Sequence, residues 1–404
     1  MKVRNFRLFI SGQFISQVGN WLTMVGQTLL VLHLTHNNGV AVGALTACQF
    51  LPVLLLGAWT GLVADRSNKR RLLLIVQTLA MCQSFALGAL AFSGRPPLLA
   101  LYGIALIGGM CTAFDNPARR AFVIEMVPEE NIQNAVSLNT ALMTGARIFG
   151  PTLAGILVVT VGYGWCFTID AISYLAVLYG LWRMNIGELR PPKPTAHAKG
   201  QVREGLRYVR SVPDLWTPLV MMALVGTFAF NFSVVLPLFA KITMHGSDTT
   251  FTLLYSVVSI GAFTGALATA RRTSVSIRSV AVGSALFGVS LLALAASPVL
   301  AASFPAALFV GFASVVFMTS STAIVQMRAS PEMRGRVLAL QAIVFLGSTP
   351  VGGPILGGIC QLFGARMGFV VGAVACFTAA LWGRTVTRRI AARPASLGLS
   401  PSAG

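Results

Sequence analysis

Three charged residues, Asp115, Arg147 and Asp170, stand inside stretches otherwise built of apolar side chains. A carboxyl in such a place can carry a proton. A guanidinium there can bind an anion or neutralise a carboxylate. Each charge is costly in a low-dielectric surround, so each is a functional candidate. Counted along its helix, Arg147 lies roughly 18 Å from the nearer polar end, close to the middle of its stretch. Asp115 lies about one turn from the end of its own stretch, and Asp170 under two turns. Two roles remain open for Arg147: lining a cavity that draws in an anionic group, or pairing with an acid. Asp115 and Asp170 are candidate proton carriers or anchors within the protein.

Neutral polar residues fall in rows at helical spacing. Ser16, Asn20, Thr23 and Gln27 share one face of the first apolar stretch. Asn139 and Met143 precede Arg147 in a similar row, and Thr227 and Asn231 form another. These rows suit either a wet central pathway or hydrogen bonds between helices. Met143, Phe228 and Tyr255 are candidates for apolar contact with a bulky amphipathic solute.

The elements that must position these residues follow from composition. The chain has 404 residues, of which 55% are hydrophobic and 10% charged, and its mean hydropathy is +0.76. A soluble domain carries about 25% charged residues. Apolar runs of about 20 residues recur, each long enough to cross roughly 30 Å of hydrocarbon. Backbone groups in lipid need internal partners, so the runs predict helices. Twelve spans are expected, near 8–34, 41–63, 72–93, 98–118, 135–161, 164–184, 217–240, 250–270, 279–297, 300–326, 337–362 and 365–385. The first carries too many polar residues for a removable leader.

Net charge is +19, and its distribution fixes the orientation. Of the 30 Lys and Arg, all but Arg95, Lys241, Arg366 and Arg147 lie at a terminus or in an even-numbered connection. Basic loops stay on the cytoplasmic side, so both termini are expected there. This pattern speaks for a lipid bilayer as partner and against nucleic acid. The six cysteines lie in the spans without metal or redox spacing, and no phosphate-binding loop is present. No catalytic residue, metal or cofactor is therefore expected, and the chain reads as a non-enzyme.

Residues 185–214 form the longest polar connection, with an amphipathic segment near Gln201–Arg210. It divides the chain into a bundle over 1–184 and a second over 215–404. Gly150-Pro151 with Gly155 recurs as Gly353-Pro354 with Gly358, and Pro128-Glu129 recurs as Pro331-Glu332 at the same offset. The chain thus reads as an all-α membrane protein of two pseudo-symmetric six-helix bundles, with a site between them.

Several motifs resemble those of the major facilitator superfamily of transporters. Gly61-xxx-Asp65-Arg66-xx-Lys69-Arg70-Arg71 resembles its loop signature. Ala146-xxx-Gly150-Pro151-xx-Ala154-Gly155 is similar to its antiporter signature, with Ala for Gly twice. Segments around Asp115, Asn134 and Asp170 resemble the branch that includes the enterobactin exporter and macrolide efflux proteins. The resemblance implies a secondary transporter in a bacterial-type plasma membrane, working as a monomer. The implied activity is proton-coupled efflux of a drug, macrolide or siderophore by alternating access. Proton-linked uptake, facilitation and non-transporting sensing are the alternatives. It also implies that Asp65 gates the cytoplasmic side by meeting residues 335–337 and Arg119, and that Gly150-Pro151 kinks a sealing helix. One departure stands out: the basic residue that many drug/proton antiporters carry early in span four is missing.

Overall fold

The computed structural model describes residues 3–190, 201–270 and 275–391. Fourteen α-helices and no strand occur among them. The first six are α1 (Arg4–Leu34), α2 (Gly39–Arg66), α3 (Lys69–Phe92), α4 (Leu98–Glu125), α5 (Ile132–Thr160) and α6 (Gly162–Trp182). Then come α7 (Gln201–Ser211), α8 (Pro213–Phe228), α9 (Phe232–Leu238), α10 (Asp248–Ala270), α11 (Ile277–Ala296), α12 (Leu300–Arg328), α13 (Pro331–Phe363) and α14 (Ala365–Ala391). The Pro-rich part of the predicted linker, 191–200, lies outside the described residues, as do Arg271, Arg272 and the tail from 392.

Local chemistry sets the helix ends. Asn38 accepts from the amides of Val40 and Ala41 and so starts α2. Asn68 does the same for α3 through Arg71. Ser276 and Ser279 form a capping box on α11. The turns before α6 and α14 need a left-handed residue, and glycine fills both: Gly162 at φ 83° and Gly364 at φ 88°. These two turns occupy equivalent places in the two halves, which extends the internal repeat.

Among the described residues eleven segments are long and apolar enough to cross a membrane: α2 to α6, the α8–α9 segment, and α10 to α14. Helix α1, with 31 residues, is long enough but is not among them. Its glutamines and asparagines dilute its hydropathy, and it can carry them because it packs against α5 and α6. The predicted seventh span is broken. Helix α8 ends at Phe228, Asn231 departs from helical geometry, and α9 runs on into a π-helical stretch over Phe239–Thr243. The predicted amphipathic segment is α7. Its Val209 is fully buried, its Glu204 pairs with Arg336 at 2.7 Å, and its Tyr208 hydroxyl accepts from the Ser330 amide.

Helices α1 to α6 pack on one another, and so do α8 to α14. The two sets meet along two main seams, α2 against α13 and α5 against α10. Outward-facing apolar residues such as Leu55, Ile75, Phe149, Trp182, Leu267 and Leu381 are exposed. So large an apolar surface suits lipid and not water.

Candidate functional site

The basic turn between α2 and α3 ties helix ends together. Lys69 is buried and meets Glu125, at the end of α4, at 2.7 Å. Arg70 donates from Nε to the Leu181 carbonyl at 2.7 Å, and from Nη2 to that of Trp182. A cation thereby satisfies the free carbonyls of the α6 C-terminus, where the helix dipole favours it. Asp65 and Arg66 are exposed at the end of α2. The other residues of the implied gate are on α13 and α4. Residues 335–337 lie inside α13, which starts at Pro331, and a Cβ on Gly335 or on Gly61 would meet no atom within 4 Å. Arg119 is in α4, not in the connection after it, and its bonds run elsewhere.

Both Gly-Pro motifs lie on or beside the seams. A Cβ at Gly150 would strike Trp21 of α1, and one at Gly155 would strike Thr252 of α10. Thr152 and Ser256 share a hydrogen bond of 2.5 Å between the same two helices. On the other seam, Gly353 and Pro354 face Gly43, and Gly357 faces Gly39, so closely that α2 and α13 touch through backbone. The Gly39 amide donates to Gln361 Oε1 at 2.7 Å. Gly358 faces open space. Pro151 and Pro354 both sit within continuous helix.

The intramembrane charges occupy three environments. Asp115 lies ten residues from the end of α4, about 15 Å, because that helix runs on to Glu125; the sequence had placed it one turn from the end. Its carboxylate accepts from Gln77 Nε2 at 2.7 Å and pairs with Arg119 at 3.3 Å. Arg119 in turn donates to Asn116, Gln17 and the Met143 sulfur. This network joins α1, α3, α4 and α5. Asp170 is fully buried; it accepts from Thr23 and Ser84 at 2.5 and 2.7 Å, which ties α6 to α1 and α3. Arg147 is exposed, stands 5.9 Å from the Trp21 ring, and pairs with no carboxylate among the described residues.

The polar rows divide in the same way. In α1, Asn20 is exposed, Ser16 and Thr23 are buried, and buried Gln27 accepts from Gln49 of α2 at 2.8 Å. The row therefore does not face one cavity. In α5, Met143 turns to Arg119 and Asn139 keeps a buried, unpartnered Oδ1. Asn231 is buried and donates to the Thr227 carbonyl, bridging the break after α8, while the Thr227 hydroxyl donates to Ala223. Among the described residues no group of His, Cys, Asp or Glu could hold a metal.

The profile of the family described as transmembrane secretion effector matches residues 1–395. The chain belongs to this family of the major facilitator superfamily. It is similar to the staphyloferrin A transporter of Staphylococcus aureus (strain NCTC 8325 / PS 47), with 22% identity over 89% of this chain and 90% of that protein. It is 26% identical to the enterobactin exporter EntS of Escherichia coli O1:K1 / APEC, over 88% and 85% of the two chains. The same fold is seen in the crystal structure of a bacterial homolog of the human lysosomal transporter Spinster in an inward-facing and occupied conformation. There the TM-score is 0.74 at 16% identity, covering 96% of this chain and 97% of that one. The protein is a multi-pass membrane transporter and not an enzyme.

In this transmembrane secretion effector several contacts between the two sets of helices carry no signal in the sequence pattern. The Tyr163 hydroxyl of α6 donates to Asp248 of α10 at 3.0 Å, and Lys241 pairs with the other oxygen of Asp248 at 2.5 Å. Trp21 lies 5.7 Å from Tyr255 across the halves. Lys241 and Asp248 sit in a predicted loop, where a short ion pair gives no periodic signal. Lys241 and Asp248, the two charges of that connection, were the available clue.

Proposed function

We propose that this transporter is a proton-coupled exporter of a small amphipathic, siderophore-type compound, working by alternating access in a bacterial inner membrane. One observation carries the cycle. Bonds between the halves, from Gly39–Gln361 through Thr152–Ser256 to Tyr163–Asp248, cluster toward the end of the α1–α2 and α5–α6 turns. Space is open beside Gly57, Gly61 and Gly335 toward the opposite end, as it is beside Gly358 and Gly364 at the first, so it is the bonds that mark the closed side and leave the opposite end as the open one. The basic connections lie at that open end, which makes it cytoplasmic by the retention of Lys and Arg. The halves over 1–184 and 215–404 are thus proposed to rock as units, held here in an inward-open state. Helix α1 serves as the twelfth span, both termini are cytoplasmic, and a single chain suffices.

The enterobactin exporter supports the export direction and the solute class. Asp115 has the arrangement that coupling requires. It is ion-paired, partly exposed and linked through Arg119 to α1 and α5, so its protonation would loosen helices of the first half, among them α5, which faces the second. Transport by purified protein in liposomes, with a pH gradient imposed and then collapsed, tests the reading. Uphill export that stops with the gradient supports it. Movement indifferent to the gradient reduces the protein to a facilitator, and inward accumulation favours the uptake reading that the staphyloferrin A relative leaves open.

A further inference from the structure

We infer that Arg147, with Trp21 and Tyr255, forms an anion-binding cleft in the central space between the halves, for an organic anion carrying a planar aromatic ring. The inference rests on the transporter reading for its biological meaning, but the cleft itself rests on geometry. Helix α5 turns 100° per residue, which puts Arg147 roughly opposite the lipid-exposed row Phe149, Leu153 and Ile156. Arg147 is nonetheless exposed. It therefore faces an inner, water-reachable space and not the bilayer.

An unpaired guanidinium within a membrane span is expensive, and such groups mark ligand or ion pathways. The other intramembrane charges are already committed: Asp115 to Arg119, and Asp170 to Thr23 and Ser84. Among the described residues Arg147 has only the Trp21 face. A contact of the guanidinium carbon with the ring face at 5.9 Å leaves the N–H groups free, and their edge fits a carboxylate with two parallel bonds. Trp21 is held over Gly150, where any Cβ would displace it. Tyr255, from the other half, lies 5.7 Å from Trp21. A flat ring entering beside Trp21 would touch both halves at once, so its binding energy would depend on how α1, α5 and α10 are arranged.

The test uses purified full-length protein in nanodiscs and a probe pair, 1-naphthoate and 1-naphthamide, alike in ring and different in charge. Wild type should bind the naphthoate at least tenfold more tightly. Arg147→Gln should remove that preference while leaving naphthamide within twofold, and Arg147→Lys should recover it in part. Trp21→Ala should weaken both probes. Unchanged thermal unfolding of Arg147→Gln and Arg147→Lys separates a lost site from a lost fold. Equal binding of the pair by wild type, or none, overturns the inference, as does a preference that survives Arg147→Gln. Charge-selective binding without gradient-driven flux in liposomes would sink the proton-coupled export reading and spare the cleft. Gradient-driven flux without that selectivity would do the reverse.

Discussion

Buried charge is where single residues can be held to account. Lys69 and Glu125 have side chains 8% and 7% exposed. Removing one partner leaves the other desolvated and unpaired, which costs about 3–5 kcal/mol in comparable sites. Glu125→Gln should therefore lower the unfolding temperature in detergent clearly, and the double change Lys69→Met with Glu125→Leu should recover much of it. Asp170 differs from Asp115 in its access. Enclosed by α1, α3 and α6, it is fully buried here and tied to Thr23 and Ser84, as an anchor would be, so Asp170→Asn should keep gradient-driven transport. Asp115→Asn should abolish it while leaving exchange without a gradient. Parallel flux measurements on the two variants check this, and loss of coupling in Asp170→Asn alone would reverse the assignment.

Helices report through their seams. Gly155 lets α5 approach α10 so closely that a Cβ would overlap Thr252. Overpacking a tight contact costs about 1–3 kcal/mol, which is enough to move a two-state equilibrium roughly 5- to 150-fold. Gly155→Leu should thus push apart the end that is closed here. Spin labels at Leu99 and Val299, both exposed at that end in opposite halves, would show a longer distance in the variant once the native cysteines are replaced. The same readout applies to Gly357→Leu on the α2–α13 seam. An unchanged distance in both would mean that the glycines serve packing alone.

In the proposed alternating-access cycle the molecule as a whole has two arrangements to balance. Tyr163, Asp248 and Lys241 link α6 to α10 at the closed end, and a rocking cycle must break the Tyr163–Asp248 bond each time that end opens. Asp248→Asn also removes the ion pair with Lys241, which lies within one half. Tyr163→Phe removes only the bond between halves. If that bond acts as a latch, Tyr163→Phe alone should lengthen the Leu99–Val299 distance, and Asp248→Asn should do so at least as strongly. A distance that moves only in Asp248→Asn would assign the effect to the geometry of the α9–α10 turn instead.

What composition and pattern determined was the membrane, the helices and the repeat. Lipid leaves the backbone no other choice, and charged residues mark the loops wherever they fall. The sequence also singled out Arg147, Asp115 and Asp170, because a charge in hydrocarbon is conspicuous without any structure. Their partners were another matter. Thr23 read as a cavity-facing residue by its spacing on α1, yet it bonds Asp170. Arg119 read as a loop cation, yet it lies in α4 as the centre of a buried network. Helical periodicity tells which residues share a face but not which neighbour that face meets. The same limit hid Trp21, which looks like any apolar residue of α1 until α5 is laid against it. Contacts between residues more than a hundred positions apart, such as Thr152 with Ser256, depend on how two bundles dock, and only the tertiary structure could decide them.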